Sequence, residues 1–94
     1  MRVLPAAVFD DLARVVNRYG GVGRWQNYED DRPCCIFGFA DFLDRGTRDC
    51  PHRRALRDAR ITIHRNDVAV FNESGGERIS FARWCELLQV ERGT

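Results

Sequence analysis

The sequence contains no lysine and no long apolar segment. All fifteen basic residues are arginine, and fourteen aspartates and glutamates leave a formal net charge of +1. This near-neutral balance argues against a uniformly basic nucleic-acid coat protein. No stretch approaches the roughly eighteen apolar residues of a membrane span, and the first residues lack the pattern of a secretory signal. We therefore expect a cytoplasmic protein with no membrane partner.

Proline is also scarce, with three prolines in 94 residues, whereas four residues are cysteine. A chain of this length with 44% hydrophobic residues is expected to form one small globular domain, residues 1–94. In a reducing cytoplasm the four cysteines are expected to be free thiols, because the thiol pool opposes structural disulfides. The cysteines are Cys34, Cys35, Cys50 and Cys85.

Apolar residues at helical spacing predict a mainly α fold, a compact bundle of four to five short helices. The first helix covers Pro5 to Tyr19 and ends at glycines. The second, Pro33 to Arg45, is apolar nearly all round, which predicts a central position in the bundle. A surface helix follows from Pro51 to about Arg60, and the last helix runs from Ser80 to about Gln89. Residues from about 90 are expected to form a tail.

The inward faces of these helices supply the predicted core. Its members are Val8, Phe9, Leu12, Val15, Val16, Ile36, Phe37, Ala40, Leu43, Leu56, Phe71, Trp84, Leu87 and Leu88. The segment from Val22 to Arg32 has no sustained period and predicts a loop anchored by Trp25 and Tyr28.

Residues 61–71 leave two interpretations open. Two β-prone runs flank Asn66-Asp67, a fair two-residue turn, so a β-hairpin here would make the fold α+β. Alternatively, Asn66 or Asp67 caps a helix that ends at Ser74-Gly75-Gly76. Periodicity over so few residues does not separate the two.

Several short motifs of the chain resemble motifs of a known group of proteins. They are a tryptophan in a loop with glycine and acidic residues, Cys35-Ile36-Phe37-Gly38-Phe39-Ala40, Asp67-Val68-Ala69-Val70-Phe71-Asn72, and Ile79-Ser80-Phe81-Ala82-Arg83-Trp84-Cys85-Glu86-Leu87. Together they resemble a group of small uncharacterised proteins of actinobacteria and their phages, with a Cys-Ile-x-Gly-His-Ala helix and a closing Ser-Trp-x-x-Trp-Cys segment. Phe39 and Phe81 replace the His and the first Trp of those motifs, so any chemistry of that His is missing. The resemblance implies no known activity, and it favours a helix over Asp67 to Glu73.

Charge is segregated along the chain. Seven arginines from Arg45 to Arg65 outweigh Asp49 and Asp58 to give +5, whereas residues 26–44 carry −4. On a helix starting at Pro51, three arginines at i, i+4 and i+7 share one face about 5–6 Å apart. We expect this face to dock on an acidic protein surface, as in a small inhibitor carried by a phage or mobile element. The predicted partner-binding residues are Arg48, Arg53, Arg54, Arg57 and Arg60.

Other interpretations remain beside this one. A solvated face accounts for the same row of charges. A nucleic-acid-binding regulator could also use it, although no aromatic residue interleaves with the arginines. A zinc-stabilised module would draw on Cys34, Cys35, Cys50 and His52, but neither pair has the usual knuckle spacing, so we expect no metal or other cofactor. No nucleophile, base and orienting group occur together in a recognisable pattern, so we expect no enzyme.

Overall fold

The computed structural model describes residues 1–25 and 34–94, and it is mainly α, which confirms the predicted fold class. The elements in chain order are β1 (Arg2–Leu4), α1 (Ala6–Arg18), β2 (Val22–Trp25), α2 (Ile36–Asp44), α3 (Pro51–Asp58), a π-helical turn (Arg65–Ala69), α4 (Val70–Glu73), α5 (Phe81–Leu88) and β3 (Val90–Arg92). Strands β1 and β3 pair in parallel. Across the two described ranges, no helix has both the length and the apolar content needed to cross a bilayer.

Helix α2 lies at the centre of the fold, as its apolar pattern predicts. Every residue from Ile36 to Ala40 is buried. Helix α1 packs one apolar face toward the same core, and in α5 the ring of the fully buried Trp84 stacks on Phe81 at 5.4 Å. Each side chain of leucine or phenylalanine size that is removed from water contributes roughly 1.5–3 kcal/mol. Four members of the predicted core are only partly buried, namely Phe9, Leu43, Phe71 and Leu87.

Residues 61–71 do not form the hairpin that was the alternative interpretation. The chain instead passes through the π-helical turn into α4. The physical reason is Asn66, whose side chain is fully buried and accepts a hydrogen bond from the indole Nε1 of Trp84. A hairpin turn would place Asn66 in solvent and would leave this buried indole donor without its acceptor.

Two segments expected to be irregular carry short strands. Val22–Trp25 forms β2, where the backbone N–H of Val22 donates to Ile79 O at 2.7 Å, so the predicted loop begins later. Its remainder, residues 26–32, lies outside the described residues, as does Pro33. Val90–Arg92 forms β3 rather than a tail, and Gly93 N donates to Leu4 O at 2.7 Å. Strands of three or four residues are too short for a visible period.

Helix α3 ends in a Schellman motif whose left-handed residue is an arginine. Ile61 N donates to Leu56 O at 3.0 Å and Arg60 N donates to Arg57 O at 2.8 Å, which places Arg60 at φ 61°. Glycine is the usual residue at this position because a Cβ costs about 1 kcal/mol in the left-handed region. Arg60 therefore occupies a backbone position that disfavours its side chain.

Candidate protein-binding interface

Arg53, Arg54 and Arg57 stand on α3, whereas Arg60 follows the end of the helix in the left-handed conformation and so does not continue its helical row as predicted. These four arginines are here named the α3 arginine face, and the helix is anchored at its start. The buried carboxylate of Asp44 accepts the backbone N–H groups of His52 and Arg53, both at 3.2 Å. A carboxylate at a helix N-terminus satisfies orphan donors and complements the helix dipole. Leu56 is the buried residue of α3 and holds the helix against the core.

Arg53 is engaged within the protein. Its guanidinium pairs with both carboxylate oxygens of Asp41, with Nη2 to Oδ2 at 2.8 Å, and it lies 5.5 Å above the ring of Phe37. The hydrogen bond that Arg53 donates to Asp41 raises the pKa of Arg53 above its ordinary value. Arg53 is therefore a poor first contact for a partner, because an incoming carboxylate would have to compete with Asp41.

Arg54 is also engaged, because its Nη2 donates to the backbone O of Asp49 at 2.5 Å, whereas the remaining arginines of the predicted site are more available. Arg54 and Arg57 reach carboxylates of Asp49 and Asp58 only at 3.9 Å, and the side chain of Arg57 is 76% exposed. Exposed pairs of this kind contribute little to stability. Arg48 and Arg60 are exposed, and their side chains make no hydrogen bond or ion pair with residues 1–25 or 34–94. The free charge of the site therefore concentrates on Arg48, Arg57 and Arg60.

An apolar groove lies beside these arginines. It encloses about 350 Å³ and is lined by Phe37, Arg53, Arg57, Ile61, Thr62 and Ile63. Its apolar walls come from α2 and from the segment after α3, while the two arginines form a cationic rim. A groove of this composition can accept an apolar side chain and hold a neighbouring carboxylate at the same time.

His52 connects three segments through two carboxylates. Its Nδ1 lies 2.6 Å from Asp44 Oδ1 and its Nε2 lies 3.0 Å from Asp11 Oδ2 on α1. The imidazolium is the form that donates both hydrogen bonds. The hydrogen bond that His52 donates lowers the pKa of Asp11, and the hydrogen bond from Arg14 lowers it by a smaller amount. This cluster could not be predicted from local patterns, because 41 positions separate Asp11 from His52.

The cysteines of the zinc alternative lie in different environments. Cys34 and Cys35 are buried, and burial raises their pKa values to about 11 and about 12. Cys50 is exposed and has a left-handed backbone conformation just before α3. Cys85 is half-buried, and burial raises its pKa to about 12. Both ring nitrogens of His52 already face carboxylates. In the part of the chain that the structure describes, no three His, Cys, Asp or Glu side chains are grouped so that they could hold a metal ion.

We compared the chain with protein-family models, with curated proteins and with solved structures. None of the three comparisons gives a significant match.

Proposed function

We propose that this protein is a small interaction module without catalytic activity, which docks the α3 arginine face on an acidic protein surface. The observation that carries the proposal is the exposure of Arg57, whose only ion pair among the described residues is the 3.9 Å contact with the adjacent Asp58. Arg60 stands three residues further along, and its side chain has no partner in residues 1–25 and 34–94. Guanidinium groups left in solvent can form bidentate pairs with carboxylates of another molecule.

The groove specifies the chemistry of the partner more closely. A partner segment that places an apolar side chain against Phe37 and Ile61 brings the flanking residues over Arg57. Carboxylates at these flanking positions complete the charge complementarity, which sets orientation and speeds association. The expected mechanism is steric: the bound domain covers the acidic surface and blocks its other contacts.

The proposal is tested by comparing capture by two variants with capture by the original chain. The double variant Arg57→Ala, Arg60→Ala should retain less than about a tenth of the captured partner, since each lost charged pair is worth about 1.5–3 kcal/mol. Arg18→Ala, which removes an exposed positive charge from the last turn of α1, is the matched control and should capture normally. Mass spectrometry of nuclease-treated lysates identifies the partner.

The captured partner then provides the second half of the test. Changing its surface aspartates and glutamates to amides should weaken binding by a similar factor. Two results would overturn the proposal. In one, the double variant captures the same protein equally well. In the other, capture disappears on nuclease treatment, which would assign the arginines to nucleic acid instead.

A further inference from the structure

A second cavity gathers arginines that lie far apart in the sequence. It encloses about 430 Å³ between β1, the end of α3 and the π-helical turn. Arg2, Arg60 and Arg65 line it, one from each of these segments, and Asp58 is its acidic residue. The three arginines and Asp58 sum to +2, and Met1, which carries a terminal ammonium, also lines the cavity. Arg2 and Arg65 are not among the predicted partner-binding residues, because only the tertiary fold brings them into one cavity with Arg60.

Two of these arginines have no other engagement among the described residues. The side chains of Arg60 and Arg65 are exposed and make no hydrogen bond or ion pair with residues 1–25 or 34–94. Arg2 is held in place, because its Nη1 donates to Leu88 O at 2.6 Å. A guanidinium has five N–H donors, so most of the donors of Arg2 remain for a ligand.

The left-handed conformation of Arg60 makes its side chain separable from the fold. Cys50 and Gln89 also have positive φ, so this conformation is a feature of helix ends, and glycine at position 60 would be unstrained. Arg60 lines the cavity together with residues of β1 and the π-helical turn.

We propose that this cavity binds a phosphate group, carried by free phosphate or by a small phosphate ester. A phosphate monoester carries about −1.5 to −2 at neutral pH, which is opposite in sign to the net positive charge of the lining. Guanidinium groups supplied by three separate segments suit a tetrahedral group with three or four oxygens, whereas a carboxylate presents two. The concave shape and the volume fit a small molecule better than a nucleic-acid backbone. The site goes beyond the proposed function: it shares Arg60 with the α3 arginine face, but Arg57 does not line it.

The test is a calorimetric titration of the full chain with inorganic phosphate and with AMP. We expect saturable binding of one molecule per chain, and about tenfold or more weaker binding in Arg65→Ala. Tighter binding of AMP would identify an ester as the ligand, and equal binding would identify free phosphate. Arg60→Gly should lose affinity similarly while melting no lower than the original chain, because glycine relieves the left-handed strain. Arg18→Ala is the charge-matched control and should bind normally.

Several results would overturn the inference. They are no saturable binding of either probe below about 10 mM, unchanged affinity in Arg65→Ala, or succinate bound as tightly as phosphate. Binding of duplex DNA without binding of either small probe would also overturn it. The two proposals fail separately: Arg57→Ala should leave phosphate affinity unchanged, and Arg65→Ala should leave partner capture unchanged.

Discussion

Replacement of Asp44 by alanine should destabilise the protein more than any surface substitution. The Asp44 carboxylate accepts from two backbone N–H groups at the start of α3 and lies 2.6 Å from the Nδ1 of His52. Its side chain is only 3% exposed, so water cannot replace these hydrogen bonds. The variant would leave the first turn of α3 without its acceptor and His52 without one of its two carboxylates.

The expected loss is about 2–4 kcal/mol. An N-terminal cap contributes about 1 kcal/mol, and a hydrogen bond to a buried charged group contributes about 1.5–3 kcal/mol. For a domain of this size, 1 kcal/mol corresponds to about 4–8 °C in melting temperature, so a decrease of at least about 10 °C is expected. Thermal unfolding followed by circular dichroism measures it.

A matched control is available in the same segment of the chain. The side chain of Asp49 is 86% exposed and reaches Arg54 only at 3.9 Å, so Asp49→Ala should change the unfolding free energy by less than about 0.5 kcal/mol. If Asp44→Ala melted within about 2 °C of Asp49→Ala, the role assigned to Asp44 in holding α3 would be refuted.

Three further predictions follow from the buried and titrating groups. Asn66→Ala should cost about 2–4 kcal/mol in urea unfolding, because it leaves the buried indole N–H of Trp84 without an acceptor and opens a cavity. Because the pKa of Asp11 is lower in the folded than in the unfolded protein, its ionised carboxylate stabilises the fold at pH values above the ordinary pKa of 3.8. This contribution is lost as the pH falls through the pKa that Asp11 has in the folded protein. Asp11→Asn should therefore unfold with a shallower pH dependence below about pH 4. Protein purified without chelator should contain no zinc and react rapidly with a thiol reagent at Cys50 alone.

Each of these three predictions has its own control or contrary result. Asn72→Ala, at an exposed position on α4, should leave the urea midpoint nearly unchanged, and an equal loss in both variants would contradict the role of Asn66. Identical acid unfolding of Asp11→Asn and the original chain would show that the contact with His52 has no effect on stability. About one zinc per chain would restore the zinc-stabilised alternative.

The helices were predictable because their signals are local. The alternation of apolar and polar residues placed α1 and α5, and the apolar run after Cys35 placed α2 in the core. The strands β1 and β3 were not predictable, because each has three residues and gains its order from pairing across the whole length of the chain.

The candidate interface was predictable only where its residues lie close together in the sequence. Helical spacing identified the arginines of α3, which are close in sequence. It could not show that Arg53 would bind Asp41, or that Asn66 would be buried against Trp84, since both depend on tertiary packing. The availability of each arginine depends on the fold, which engages Arg53 and Arg54 in hydrogen bonds and leaves Arg57 and Arg60 more exposed to a partner.

The proposed function requires that Arg57 contacts carboxylates of a partner protein. Charge reversal at this exposed position, Arg57→Glu, tests it most directly, since the side chain has little internal role to lose. We expect the variant to fold with an unchanged circular dichroism spectrum and partner capture to fall by at least about tenfold. Undiminished capture by the folded variant would refute the proposed contact of Arg57 with the partner.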